Sequence, residues 1–311
     1  MRIAVVALNP CVDRTVYLNR PLCVGDNHRA LSCSEQAAGK GLNQAVVLEN
    51  LGTLCDYYSF GSASGDDVSA RFIGQRAFRS HMTAAACGVR VNVKIVDANG
   101  VGTEINEAGG PVSEEEVAAL MDALDAFEGE IVSICGSVPQ GIDKGIYAEM
   151  ISRAKKKGAL CVLDADGEAL RKGLAARPDY IKPNRRELAE LVGKRESELK
   201  TDADVAAAAR SIYDTYGTSV ICTLDESGSL YVGQEGAYRV GAAKVELRGF
   251  SGAGDTYLAA FLHRKYGEGA DMADALSYAA RASGAKVAME GTLLPTREEV
   301  DQMPNVLAWK L

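Results

Sequence analysis

The stretch FSGAGDTYLAAFL, residues 250–262, sets three small residues, Gly252, Ala253 and Gly254, directly before the carboxylate of Asp255 and a long apolar run. The run reads as an apolar helix and the small residues as its entrance. A helix start carries unpaired backbone N–H groups and the positive end of the helix dipole, so it attracts anions. Glycine lets a phosphate approach those groups with no Cβ in the way. A carboxylate at the same place stands beside whatever the phosphate reacts with. If that partner is a hydroxyl, Asp255 accepts its proton as the oxygen attacks, and the turn stabilises charge on the moving phosphoryl group. A helix N-cap with a tight turn explains the same residues equally well. Alone, the stretch leaves both readings open.

Working outward, the chain repeats a short β-rich run, a turn and an amphipathic helix. IAVVAL (3–8) reads as a buried strand, and LNQAVVLENLG (42–52) as a helix stopped by Gly52. Ser113 with Glu116 predicts a capping box at the start of a helix over 113–127. Strands are expected at 130–135, 159–164 and 219–224, and helices near 143–157, 184–192, 202–216, 254–266 and 271–288. This alternation predicts an α/β fold of three layers, a mostly parallel central sheet with helices on both faces. Residues 14–36 and 89–107 break the rhythm with alternating β-type segments, and DANG (97–100) predicts a hairpin turn. We expect one α/β domain over 1–311, with these two stretches inserted as a small β-strand lid that closes over a site.

Composition sets bounds. With 311 residues, 47% apolar and 24% charged, the chain is of ordinary globular character, and its net charge of −8 argues against a nucleic-acid partner. No apolar run is long enough to span a membrane. The start shows no leader pattern, so the expected location is the cytoplasm. Eight irregularly spaced cysteines without a CxxC pair then read as reduced core residues. The three histidines (28, 81 and 263) lack metal-ligand spacing.

Further motifs accompany the glycine–aspartate turn. GKGLNQAVVLENLG (39–52) puts Lys40 between glycines and Asn43 on the first turn of a helix. KPNRRELAEL (182–191) sets Asn184 and Glu187 side by side on a helix start. CTLDESGS (222–229) is a strand running into a loop, a usual place for a nucleotide beside an α/β sheet. Asp13, in LNPCVDRTV (8–16), follows the first strand and is expected near its carboxyl end, where such sheets bind ligands. A surface turn is the bland alternative for Asp13. GSVPQGI (136–142) and RVNVKIVDANGVGTEINEAGGPVS (90–113) complete the set.

In this order, over almost the full length, these motifs make the chain resemble the PfkB, or ribokinase-like, family of sugar kinases, and within it the branch that acts on sugar phosphates. The resemblance implies a ribokinase-like fold and transfer of the γ-phosphoryl of ATP to a sugar hydroxyl, with Mg2+. It makes Asp255 the catalytic base and Gly252, Ala253 and Gly254 the anion hole. It gives Asp13, Gly39, Lys40 and Asn43 to the sugar, and Asn184 and Glu187 to magnesium through water and phosphates. Lys182, Asn184, Thr223, Asp225, Ser227, Gly228, Gly254 and Ser283 become nucleotide contacts. The branch needs cations near the substrate phosphate, and Arg29, Lys40, Arg90 and Lys94 are the candidates, with Arg29 and Arg90 meeting over it from the two lid stretches. The bland alternative for Arg90 and Lys94 is a solvated strand face. The implied acceptor is a phosphorylated ketohexose, fructose 1-phosphate first, with tagatose 6-phosphate and fructose 6-phosphate as alternatives. An unphosphorylated sugar or nucleoside, or a sensor without turnover, stands further off. Unpaired lid edges add an expected homodimer through the lid.

Three positions depart from the family pattern. Ala38–Gly39 stands where a glycine pair is usual, and Leu224–Asp225 where leucine–glycine opens the nucleotide loop. Gly249 and Phe250 replace a hydroxyl and a polar residue in a loop that holds a monovalent cation in some relatives. Potassium dependence is therefore not predicted.

Overall fold

The computed structural model describes every residue except Asp66 and Phe250. From the N-terminus come strands β1 (Ile3–Ala7), β2 (Cys11–Leu18) and β3 (Ala30–Ala38), then helix α1 (Lys40–Leu51). β4 (Cys55–Ser62), the short α2 (Val68–Ile73) and β5 (Arg79–Ala85) follow, then the hairpin of β6 (Arg90–Val96) and β7 (Gly102–Asn106). The middle of the chain alternates α3 (Glu114–Asp125), β8 (Ile131–Cys135), α4 (Ile146–Lys156), β9 (Leu160–Asp164), α5 (Gly167–Leu174), β10 (Tyr180–Ile181), α6 (Arg185–Leu191), α7 (Asp202–Tyr216) and β11 (Ser219–Thr223). It closes with β12 (Ser229–Gly233), β13 (Gly236–Val240), α8 (Ala253–Leu262), α9 (Met272–Val287), α10 (Arg297–Gln302) and β14 (Ala308–Lys310).

Ten strands form one sheet in the order β14-β13-β12-β11-β10-β9-β8-β1-β4-β5, parallel from β11 to β5 and antiparallel at the β12–β14 edge. Strand alternation sorts each run into two cores. Ala4, Val6, Val132, Ile134, Cys161 and Leu163 pack on one face. Ile3, Val5, Ala7, Ile131, Cys135 and Val162 pack on the other, with α1, α8 and α9. Both faces are covered, which is why β1 reads as an unbroken apolar run. β2, β3, β6 and β7 form a second sheet in the order β3-β2-β6-β7.

Local signals set several boundaries. Gly52, at φ 88, ends α1 and donates to Leu48 and Glu49 carbonyls. Ser113 and Glu116 form the capping box of α3, while Thr201 with Asp204 caps α7, which Gly217 at φ 71 ends. Asp97 accepts from the N–H groups of Asn99 and Val101, closing the β6–β7 hairpin. The β4–α2–β5 block and the antiparallel edge are elements that the sequence pattern did not single out. Asp13, expected near the carboxyl end of the first strand, lies within β2 of the small sheet, paired with Gln36 and Asn92. All eight cysteines are free, but only Cys11, Cys55, Cys135, Cys161 and Cys222 lie in the core as expected: Cys23 and Cys33 are exposed and Cys87 is half-buried. No helix among the described residues is long and apolar enough to cross a membrane.

Candidate active site

A cleft of about 1610 Å³ opens where the carboxyl ends of β1 and β8, the starts of α1 and α8 and one face of the small sheet converge. Successive strand residues point to opposite sides, so Cys11, Asp13, Arg90, Asn92, Lys94 and Glu104 share the face that lines it. α8 enters from Gly252, whose φ of 86 is left-handed backbone that glycine adopts freely. A Cβ on Gly252 would stand 3.2 Å from Asn43 Nδ2, and one on Gly254 3.0 Å from Lys182 Nζ. The absent side chains thus admit two polar groups as well as leaving the first-turn N–H groups bare.

Asp255 sits on that first turn, 7% exposed, and its Oδ2 accepts from Asn43 Nδ2 at 2.8 Å. Burial and, next, the negative charge of Asp164 raise its pKa above the ordinary carboxylate value, against the pull of Lys40, Asn43 and Lys182. That makes Asp255 a stronger proton acceptor than an ordinary carboxylate.

Asp164 is the residue that sequence reasoning missed. It ends β9, is 1% exposed, and holds Lys40 Nζ at 3.0 Å from Oδ1 and Lys182 Nζ at 3.2 Å from Oδ2. The Lys182 pair is an ion pair without hydrogen-bond alignment, since Oδ2 has no hydrogen-bond partner. Burial disfavours the Asp164 carboxylate, yet Lys182 and Lys40 outweigh it and keep the pKa below the usual value. Burial likewise opposes the Lys40 ammonium, and Asp164 and Asp255 reverse that to a raised pKa. Asp164 therefore holds the Lys40 ammonium charged beside the α8 turn and keeps Lys182 Nζ next to it. A carboxylate closing the apolar run ALCVLD was the available signal.

On the small sheet, Asp13 is 4% exposed and pairs with Lys94 Nζ at 2.6 Å, while Asn92 Nδ2 donates to its Oδ1 at 3.1 Å. Lys94 is spent on this pair and, at 3.9 Å, on Glu104, so it is no free phosphate-binding cation. Arg90 differs. Its Nη1 donates to Asn92 Oδ1 (2.8 Å) and Glu107 O (2.7 Å), and no carboxylate pairs with it among the described residues. Arg29 does not join it: it is exposed and lines no part of the cleft. Arg29 precedes Ala30, which pairs with Leu18, whereas Arg90 pairs with Cys11. Seven residues of β2 separate those levels, roughly 23 Å at the usual strand rise.

At the other end of the cleft lie Lys182, Asn184, Glu187, Thr223, Asp225, Gly228 and Ser283, whereas Ser227 is exposed and outside the lining. Asp225 stands at φ 49, the left-handed conformation that aspartate tolerates and glycine prefers. The loop therefore keeps its shape without glycine at that position. A Cβ on Gly228 would come within 2.2 Å of Val240 O, so only glycine fits there. Asn184 caps α6 in a box with Glu187: Asn184 Oδ1 accepts from Glu187 N at 2.8 Å, and Glu187 Oε2 from Asn184 N at 2.9 Å.

The family model of the pfkB family carbohydrate kinases matches residues 6–299. The chain belongs to the pfkB family. It is 31% identical to the 1-phosphofructokinase of Rhodobacter capsulatus, over 100% of this chain and 98% of the relative. It is 29% identical to that of Haemophilus influenzae, over 90% and 89%. Among solved structures, the phosphofructokinase-2 of Escherichia coli in complex with substrates and products superposes with a TM-score of 0.90 at 25% identity, covering 97% of this chain and 98% of the other. The ribokinase of Thermotoga maritima, 21% identical over 96% and 97%, shares the fold with a TM-score of 0.76.

This pfkB kinase thus has the ribokinase-like α/β fold and, as the family implies, ATP as co-substrate. Its cleft gathers Asp13, Gly39, Lys40, Asn43, Arg90, Lys94, Gly252, Ala253, Gly254 and Asp255 with the six loop and cap residues Lys182, Asn184, Glu187, Thr223, Asp225 and Gly228, and with Ser283. Of the expected site residues, Arg29 and Ser227 stay outside, and Phe250 lies outside the described residues. Cys11 enters unannounced, its thiol accepting from Asn92 Nδ2 at 3.2 Å. Burial, then Asp13, push its pKa up to about 12.

Proposed function

We propose that this pfkB kinase transfers the γ-phosphoryl group of ATP to a hydroxyl of a phosphorylated ketohexose, fructose 1-phosphate before tagatose 6-phosphate or fructose 6-phosphate. The observation that carries this reading is Arg90, a guanidinium facing the cleft with no carboxylate partner among the described residues. A cation left uncompensated in a protein of net charge −8 calls for an anion. An anion held there, with a hydroxyl directed at Asp255, is a sugar phosphate. The names of the two bacterial 1-phosphofructokinases support the same choice.

In this reading Asp13, Gly39 and Asn43 grip the sugar, and Lys40 and Lys182 balance the phosphates under the hold of Asp164. The substrate oxygen bonds to the γ-phosphorus as its proton passes to Asp255 and the bond to ADP breaks. The N–H groups after Gly252 take up charge on the transferred group. Asp225, Thr223, Gly228 and Ser283 flank the nucleotide. Magnesium fits the donor set: Glu187 lies in the cleft and its Oε1 has no hydrogen bond among the described residues. No cluster of three metal-ligating side chains forms among the described residues, so Glu187 and Asn184 would hold the ion together with water and phosphates. Bound magnesium supplies charge neutralisation. The test is ADP release with magnesium-ATP and fructose 1-phosphate, tagatose 6-phosphate, fructose 6-phosphate, fructose and ribose. Turnover confined to phosphorylated ketoses is expected, and equal turnover of free fructose would sink the proposal.

We further propose that the small sheet is a lid, inserted into one domain, and that two chains pair through it. Its face opposite Asp13 and Asn92 carries Val16, Val93, Ile95 and Ile105, the last 58% exposed. Burying such a face is favourable. Light scattering should report a dimer that Ile105→Lys splits into monomers, and a monomeric wild type would refute the pairing.

A further inference from the structure

Lys286, in the last turn of α9, is a buried ammonium that the reading above does not use. It is 1% exposed, and its Nζ donates to Gly291 O at 2.9 Å. Around it the approach to α8 is pinned to the end of α9, because Arg248 N and Gly249 N both donate to Val287 O, at 2.8 and 3.1 Å. The fit is tight. A Cβ on Gly249 would stand 2.4 Å from Met289 O, 3.2 Å from Gly291 O and 3.3 Å from Lys286 Nζ. One on Gly252 would stand 3.5 Å from Lys286 Cε. The Lys286 side chain therefore packs against the turn that opens α8, with its ammonium beside Gly249.

Buried charges are ordinarily paired, yet no carboxylate forms an ion pair with Lys286 among the described residues. Of the charged groups on surrounding elements, Lys94 on β6 opposes it, Arg248 is paired with Glu246 at 2.8 Å, and neither Glu290 nor Asp255 forms an ion pair with it among the described residues. Burial first, then Lys94, bring its pKa down to about 8.

We infer that Lys286 is a positioning residue whose counter-ion arrives with the substrate: its side chain packs against the Gly252 turn and its ammonium balances the phosphoryl group bound there. The inference rests on the phosphate-binding reading of that turn. Gly249 belongs to the same device, since any side chain there would strike Met289 O and displace the ammonium.

Calorimetric titration with magnesium-ATP, without acceptor, at pH 8 in buffers of different ionisation heat tests it. Wild type should take up about half a proton per nucleotide, because a group near half charge is driven to full charge by the anion. Lys286→Met should take up none from this source and bind about tenfold more weakly. Lys286→Arg, charged throughout this range, should keep the affinity and lose the uptake, and it stands in if the methionine variant does not fold. Nucleotide binding with the same uptake in wild type and both variants, or without uptake in wild type, overturns the role of Lys286 alone. No nucleotide binding at all overturns the kinase reading and this inference with it.

Discussion

Asp255→Asn is expected to lower kcat at least ~10²-fold with fructose 1-phosphate while leaving nucleotide affinity nearly unchanged, since it removes the proton acceptor and little else. Asparagine keeps the shape and can still face Asn43, whose Nδ2 now donates to Asp255 Oδ2. In wild type the rate should fall as pH drops, because a protonated carboxyl accepts no proton. That limb should lie above the ordinary carboxylate range, as burial and then Asp164 raise the pKa. The sign for stability is opposite. A carboxyl whose folded pKa is raised binds its proton more tightly in the folded state, so its ionisation costs stability at every pH above its unfolded value. Asp255→Asn removes that cost. Thermal unfolding at pH 7 should therefore find the variant at least as stable as wild type although nearly inactive. Wild-type turnover in this variant would remove Asp255 from the chemistry.

Arg90→Ala should lower kcat/KM for the phosphorylated ketose by about 10- to 150-fold for each charge-assisted bond lost, at roughly 1.5–3 kcal/mol apiece. The loss should appear in the KM of the sugar phosphate and leave the KM for ATP alone. The guanidinium already bonds Asn92 Oδ1 and Glu107 O, so a phosphate meets a side chain held in place and loses little to ordering it. Arg90→Lys should recover only part of the loss, since an ammonium lacks the planar fork. Steady-state kinetics with fructose 1-phosphate and with fructose separates the outcomes. An equal drop on both sugars would mean that Arg90 supports the cleft and does not read the phosphate.

How far the sequence carries depends on the range of the interaction. α7 runs over Asp202–Tyr216, as its pattern predicts, because Thr201, Asp204 and Gly217 define both ends within a turn of chain. The parallel sheet was legible from its fully apolar strands, and the β12–β14 edge was not, since alternation cannot tell which neighbour a strand takes. The Gly252 turn was legible as a helix start able to attract an anion, because a helix start needs no partner for that, and only the motifs elsewhere in the chain favoured this reading over a plain N-cap.

Charge assignment was beyond that reach. Lys94 looked as available as Arg90 on the alternating RVNVK strand, yet Asp13, 81 residues away in the chain, neutralises one and leaves the other. Arg29 was expected opposite Arg90, and the β2–β3 register carried it to the far end of the sheet. Asp164 acquired its role from lysines that the fold delivers from α1 and from the end of β10. By itself, then, the sequence determined the element rhythm, which rests on neighbours along the chain, and the family, which rests on the order of its motifs. Which cations are paired, which are left for an anion, and where Lys286 lies without a counter-ion were decided only by the tertiary structure, because electrostatic pairing acts through space at a few ångströms.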